Sequence, residues 1–249
     1  VRLTVTVITF NEAAHIAAAL DSVAWADEII VVDSGSADGT TDIARAKATR
    51  VIVRDWSGYS DQKNYAADQA TNDWVLSMDA DERVTPALAG EIRALMARGP
   101  DRRGYRIRRV SHYLGQWIRS TDWFPDYQLR LYDRRAGRWN ELRIHESFTL
   151  KDGAPGTLDG EMEHYAYRDV THHVQKINLY TTLVVDQWRE EKRRATALQI
   201  VVHPLLAFLR NYIARGGIRQ GTAGLIVSIL NSYYVFLKFA KLWERQRRG

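Results

Sequence analysis

The chain has 249 residues, 45% apolar and 26% charged, with a net charge of +5, which fits one large α/β domain or one such domain with an appendage. It contains no cysteine, and this excludes disulfides, thiolate zinc sites and cysteine nucleophiles. The charge is uneven: positions 186–249 hold 12 Lys+Arg against 4 Asp+Glu, a local +8 that leaves −3 for the rest, and a basic tail on a mildly acidic body points to an anionic partner, membrane lipid or nucleic acid.

Positions 3–8 alternate and are β-branched, which predicts a strand. This run begins at once and leaves no room for a signal peptide, so the active part is expected in the cytoplasm. Ile16, Leu20 and Val23 give 12–23 a helical spacing, and 28–32 is a short apolar run of the kind buried on both faces of a sheet. A helix over 40–48 follows, with Asp38 placed to cap it, then a strand at 50–53, a helix at 61–70 and a strand at 74–78. The helix at 86–97 has proline in its first turn. This alternation predicts a mostly parallel sheet with helices on both faces.

Positions 104–167 are rich in Trp, Tyr, Arg and His, with strand-like pieces at 105–110 and 127–132, and predict additions to the sheet. The turn-rich 151–156 marks the clearest local break. Positions 172–194 read as a charged amphipathic helix, with His172-His173 on a solvated face. Two apolar stretches follow. The first, 198–209, is too short to span a bilayer and carries His203-Pro204; the second, 223–237, contains Asn231 and two serines. Tyr233, Tyr234, Lys238, Lys241, Trp243 and Arg245 suit a helix lying in a membrane interface, against the plainer alternative of a bundle packed on the sheet.

In an open parallel sheet, ligands bind at the carboxyl ends of the strands. Those positions hold Thr9-Phe10-Asn11-Glu12, Asp33-Ser34-Gly35-Ser36, Arg54-Asp55 and Asp79-Ala80-Asp81-Glu82. Asp79 and Asp81 repel each other unless a cation intervenes. Mg²⁺ takes one or two carboxylates and completes its shell with phosphate oxygens and water, as a nucleotide diphosphate requires. Asp33 is placed to accept the N3–H of a uracil-type base, although a capping turn explains its neighbours Asp38 and Thr40. There is neither a G-x-G-x-x-G after the first strand nor a G-x-x-x-x-G-K-[ST] anywhere.

Taken together, TFNE, VVDSGSADGT, QKNYAA and WVLSMDADE resemble glycosyltransferase family 2, with the GT-A fold. FPDYQLRLYDRRAGRW, His145-Glu146, His164-Tyr165 and GGIRQGTAGL with YYVFLKFAKL further resemble the subgroup of lipopolysaccharide-core β-glucosyltransferases. The resemblance implies an α/β GT-A catalytic domain over 1–170, with a nucleotide-binding half 1–100 and an acceptor half 101–170, and a helical, membrane-interfacial region over 171–249. It implies that Thr9, Asn11, Glu12, Asp33 and Ser34 line a nucleoside pocket, with Lys63 and Asn64 near the nucleotide or its phosphates. Asp79 would face ribose and metal, Asp81 would bind Mg²⁺ or Mn²⁺, and His164 would be a further metal or phosphate ligand. The resemblance implies Glu146 as the general base, with His-Glu standing here where Glu-Asp is commoner, and Asp126 as the alternative base.

The activity implied is inverting transfer of glucose or another hexose from a UDP-sugar to a hydroxyl of a glycolipid or lipopolysaccharide-core acceptor. It would take place at the cytoplasmic side of the inner membrane. A sugar-nucleotide-binding protein without transfer activity and a polyprenyl-phosphate glycosyltransferase are the alternatives. Nucleic acid is not an expected partner, because the tail's charges are interleaved with long apolar stretches. Trp117, Trp123 and Trp139 either stack on sugars or fill the core. Arg102, Arg103, Arg106, Arg108, Arg109 and Arg119 either grip an anionic acceptor or line a solvated strand face.

Overall fold

The computed structural model describes residues 1–140 and 146–248, in two compact units. The first comprises Val1–Arg109 and Tyr127–His164. Its parallel half is built from β1 (Leu3–Thr9), β2 (Glu28–Asp33), β3 (Arg50–Val53) and β4 (Trp74–Asp79), in the order β3-β2-β1-β4. The central strands β1 and β2 are buried along their whole length, which is why they read as near-continuous β-branched runs. Val5, Val7, Ile29, Val31, Leu76 and Met78 face one layer of helices: α1 (Ile16–Asp21), α2 (Thr40–Arg45) and α4 (Pro86–Arg98). Ile8, Ile30 and Val32 face Ala66 of α3 (Tyr59–Asp68) on the other side. Helices therefore cover both faces, as the alternation predicts.

Local chemistry sets the ends. α4 starts at Pro86, and the side chain of Thr85 accepts the Leu88 amide at 3.3 Å. α2 starts after Gly39 (φ 89°), which takes the N-cap position expected of Asp38; Asp38, one residue earlier, accepts the Thr40 amide at 3.1 Å. α1 is shorter than expected. Asn11 takes φ 54°, and the Glu12 carbonyl accepts the amides of both His15 and Ile16, so a tight turn precedes the helix.

The sheet continues in antiparallel fashion. β8 (Asp126–Asp133) pairs with β4, Trp74 opposite Asp133, and is followed by β6 (Gly104–Tyr113), β11 (Gly156–His164) and β5 (Glu82–Val84). The sheet is thus mixed, with the expected additions appended to the parallel half. β5 and β11 were not expected. β5 is three residues long, and β11, GTLDGEMEH, alternates outward acids with inward Leu158, Gly160 and Met162. Gly160 is required there, since a Cβ would lie 2.5 Å from the Leu88 Cα. A separate hairpin of β9 (Gly137–Trp139) and β10 (Phe148–Leu150) packs Trp139 and Phe148 with Tyr132, Val75 and Ala67.

The second unit comprises Val110–Asp126 and Tyr165–Gly249. The end of β6 folds back there on β7 (Gln116–Ile118). Three helices follow: α5 (Val170–Glu190), α6 (Ala197–Leu209) and α7 (Gly221–Arg248). Tyr113, Ile118, Ala223 and Val227 form one core with Trp123 and Tyr167, and Val185, Ala195 and Leu242 form another. Lys241 straps α7 to α5, donating at 2.7–2.8 Å to the carbonyl and side chain of Asn178 and to the hydroxyls of Thr181 and Thr182.

Two expectations are corrected here. His173 is buried, within hydrogen-bond reach of the Tyr113 hydroxyl (3.2 Å) and stacked on Tyr167, because the helix's apolar face includes it. The apolar stretch expected to stop at 209 runs on through a π-turn, Arg210–Ala214, so that 197–214 reaches 18 residues. By length and composition this stretch and 217–248 are each long enough to cross a bilayer. Leu198, Val201, Leu205, Leu206, Leu209, Ile213 and Ile218 are all exposed.

Candidate active site

The parallel register brings the polar strand ends level. Thr9 lies opposite Asp33, Asp33 opposite Val53, and Ile8 opposite Asp79. At this edge the buried Asp33 carboxylate holds its own loop. It accepts the amides of Gly35 (3.0 Å) and Ser36 (2.9 Å) and the hydroxyl of Ser36 (2.5 Å). The Asn11 side chain accepts the Ala37 amide (2.9 Å), the Asn11 amide donates to Ser36, and the Glu12 amide donates to Thr40 (2.8 Å). Ser34 accepts from the buried side chain of Gln62 (3.1 Å). The five residues assigned to a nucleoside pocket thus share one edge, and four of them build the loop that shapes it.

Asp79 and Asp81 turn to different partners. Asp79 lies 3.1 Å from the Lys63 ammonium and 2.9 Å from the Arg130 guanidinium. Burial alone would raise its pKa, but these two cations outweigh burial and hold the carboxyl well below its usual range. The cation demanded by the paired carboxylates is, for Asp79, supplied by the protein. Lys63 also meets Glu146 at 3.1 Å; Lys63 is sealed, whereas 22% of the Glu146 side chain remains exposed. Arg130 continues to the fully buried Glu82 (2.8 Å), which Arg109 also reaches (3.0 Å). Burial disfavours the charged Arg130, and Glu82 and Asp79 more than restore its charge, raising its pKa.

Asp81 instead approaches His164, Oδ2 to Nε2 at 3.5 Å, with about 15% of each side chain exposed. The β5–β11 ladder causes this, because it sets His164 opposite Glu82, the residue after Asp81. A carboxylate and an imidazole so close suit Mn²⁺ or Mg²⁺, which completes its shell with phosphate and water. Among the described residues no three His, Asp or Glu side chains gather into a metal cluster. The pair would supply two ligands to such an ion and leave its remaining positions to a substrate.

Other expected residues serve the scaffold. Both atoms of the Asn64 amide are spent on the Trp139 main chain (3.0 and 3.1 Å), anchoring the β9–β10 hairpin. Trp139 is core, with its indole N–H on the Tyr132 hydroxyl (3.0 Å). Trp123 packs against Tyr167 and donates to Asn231 (3.1 Å). Asp126 opens β8 and belongs to the second unit. His145 lies outside the described residues. Arg130 was not foreseen as a site residue; Glu82 was noted only as part of the fourth strand's end, and Arg109, expected to grip an anionic acceptor or line a solvated strand face, turns to Glu82 instead.

Comparison with known proteins gives the family and the fold. The pattern of Glycosyl transferase family 2 matches residues 4–152. The chain is 29% identical over 245 residues to the lipopolysaccharide core biosynthesis glycosyltransferase LpsC of Rhizobium meliloti (strain 1021), covering 96% of this chain and 91% of that protein. It is 32% identical over 250 residues to an uncharacterized glycosyltransferase of Rickettsia typhi, covering 96% and 85%. In fold it matches the mannosyltransferase PcManGT of Pyrobaculum calidifontis, solved with GDP-Man and Mn²⁺, at a TM-score of 0.55 and 16% identity over 98% of this chain and 88% of that one. The chain belongs to glycosyltransferase family 2, adopts the GT-A fold, and is a relative of a lipopolysaccharide-core glycosyltransferase.

Proposed function

We propose that the chain moves a hexose, glucose foremost, from a UDP-sugar to a hydroxyl of a glycolipid or lipopolysaccharide-core acceptor, with inversion and with a divalent cation. The observation that carries this reading is the Asp81–His164 pair, 3.5 Å apart, in a family 2 chain.

Asp81 and His164 hold the cation, which when bound supplies positive charge to the departing diphosphate. Thr9, Asn11, Glu12, Asp33 and Ser34 receive the nucleoside. The Thr9 hydroxyl is buried with no protein partner among the described residues, so a ligand group would satisfy it. Lys63 fixes Asp79 and Glu146 relative to each other. Glu146, partly open to solvent, takes the proton of the acceptor hydroxyl as its oxygen attacks the anomeric carbon. Asp126 is the alternative base.

The exposed apolar surface of α6 supports the acceptor end of this reading. The exposed leucines of α6 are preceded by Arg193 and Arg194 and followed by Arg210, Arg215 and Arg219, a layout that suits anionic lipid at the cytoplasmic face of an inner membrane.

The test is release of nucleotide with Mn²⁺, with EDTA, and by Asp81→Asn. UDP release only by wild type with metal is expected, and equal rates in all three would remove the metal claim. The Pyrobaculum relative holds GDP-Man, so GDP-mannose run beside UDP-glucose decides the donor.

A further inference from the structure

We propose that Glu82 is a positioning residue that sets the distance between Asp81 and His164. The inference rests on the metal reading above and adds to it a residue that touches neither ion nor sugar.

Glu82 is the first residue of β5, and it acts in two directions. Its main chain stands opposite His164 in the β5–β11 ladder, while Asp81 is its immediate predecessor. Its carboxylate reaches back and accepts the Asp79 amide at 2.9 Å, closing the turn that carries Asp81. One residue therefore fixes the carboxylate of the pair through a side chain and the imidazole through a strand register.

The carboxylate is itself clamped. Arg130 (2.8 Å) and Arg109 (3.0 Å) both bond its Oε1, and Arg130 also bonds Asp79 (2.9 Å), so a single guanidinium ties both ends of the turn. Folding stability does not explain this arrangement. Desolvating such a carboxylate and guanidinium offsets most of their attraction, and apolar residues of the same size commonly do as well. Arg130 moreover leaves its buried Nε and Nη1 without a protein partner among the described residues, which is costly. What the network provides is fixed geometry beside a metal pair. Residues behind metal ligands contribute about 10–100-fold to metal affinity in this way.

The test titrates Mn²⁺ into the full chain without donor and follows free Mn²⁺ by electron paramagnetic resonance. Wild type, Asp81→Asn, His164→Ala, Glu82→Gln and Arg109→Met are compared, with circular dichroism and melting curves to confirm folding. Glu82→Gln should bind Mn²⁺ about 10–100-fold more weakly. Arg109→Met, which removes one clamp at a partly exposed position, should fall between it and wild type. If Asp81→Asn and His164→Ala lose binding and folded Glu82→Gln keeps wild-type affinity, the positioning role is overturned while the metal site stands. Should Glu82→Gln not fold, wild-type affinity in Arg109→Met overturns it equally. A wild type that binds no Mn²⁺ through Asp81 and His164 overturns the metal reading and this inference together. Lower melting temperatures with unchanged affinity would make Glu82 merely structural.

Discussion

The two units place unlike groups on the wrong side of the usual boundary, in opposite senses. The first buries charge: Lys63, Arg130 and Glu82, joined through the partly exposed Asp79, form a chain of ion pairs in a β-branched sheet. The second exposes apolar surface: α6 turns Leu198, Val201, Leu205 and Leu209 to solvent, an i, i+3, i+4 stripe along one face. Each departure is informative because packing alone would avoid it. Buried charge belongs where geometry must be held against a substrate, and a bare apolar stripe belongs where another apolar phase will cover it.

The largest expected effect is on chemistry in the first unit. Glu146→Gln keeps the shape beside Lys63 and removes the base, so turnover should fall about 10²–10⁴-fold with nucleotide affinity nearly unchanged. Asp126→Asn should lose far less. The reverse ranking, measured under saturating donor, would make Asp126 the base.

Next in size is stability in the same unit. Lys63→Met leaves Asp79 with Arg130 but strips Glu146 of its cation, and breaking a buried pair costs roughly 3–5 kcal/mol. For a chain of this length that lowers the melting temperature by on the order of 10 °C. A melt within a degree or two of wild type would mean that the buried charges are not coupled as their distances indicate.

In the second unit, His173 is a buried titratable group. Burial, with the charges of His172 and Lys176, pushes the His173 pKa down to about 4. Unfolded, it titrates near its ordinary value, so the unfolded chain binds the extra proton between those two values. Stability should therefore be full above about pH 6.5 and decline as pH falls toward 4, by up to about 3 kcal/mol from this residue. His173→Phe preserves the ring packing against Tyr113 and Tyr167 and should flatten that slope. Parallel melting curves for both proteins at pH 7.5 and pH 5 would count against it.

Legibility differed in the same way between regions. β1, β2 and β4 were readable because parallel strands buried on both faces need unbroken apolar runs. β5 and β11 were hidden because one is three residues long and the other carries acids on its outer face. At the site, Asp79 and Asp81 stood out as paired carboxylates at the end of the fourth strand and His164 through the family pattern, whereas Arg130 and Glu82 look like ordinary surface charges in isolation. A signal existed for Arg130: in QLRLYD it occupies an inward position of an alternating strand. Lys63 offered one too, since it shares a helix face with Ala66 and Ala67 and so had to be buried. The continuation beyond α6 through Arg210–Ala214 was missed because Arg210 and Asn211 look like a stop. Asn211 is instead buried, with its amide on the Ala207 carbonyl and on Asp122 (both 2.9 Å).

The smallest effect tests the apolar stripe directly. Leu205 is 60% exposed, so Leu205→Ser removes little packing and should change the melting temperature little, in keeping with surface substitutions within about 0.5 kcal/mol. A leucine withdrawn from water into lipid contributes about 1.5 kcal/mol or more, so flotation with anionic liposomes should weaken about tenfold. The arginines at both ends of the helix add a term screened by salt, and the remaining binding should therefore drop further as ionic strength rises. If instead Leu205→Ser floats as wild type does while melting lower, the stripe is a packing surface. The contrast between the two units would then be lost, since both would be hiding their apolar groups in protein.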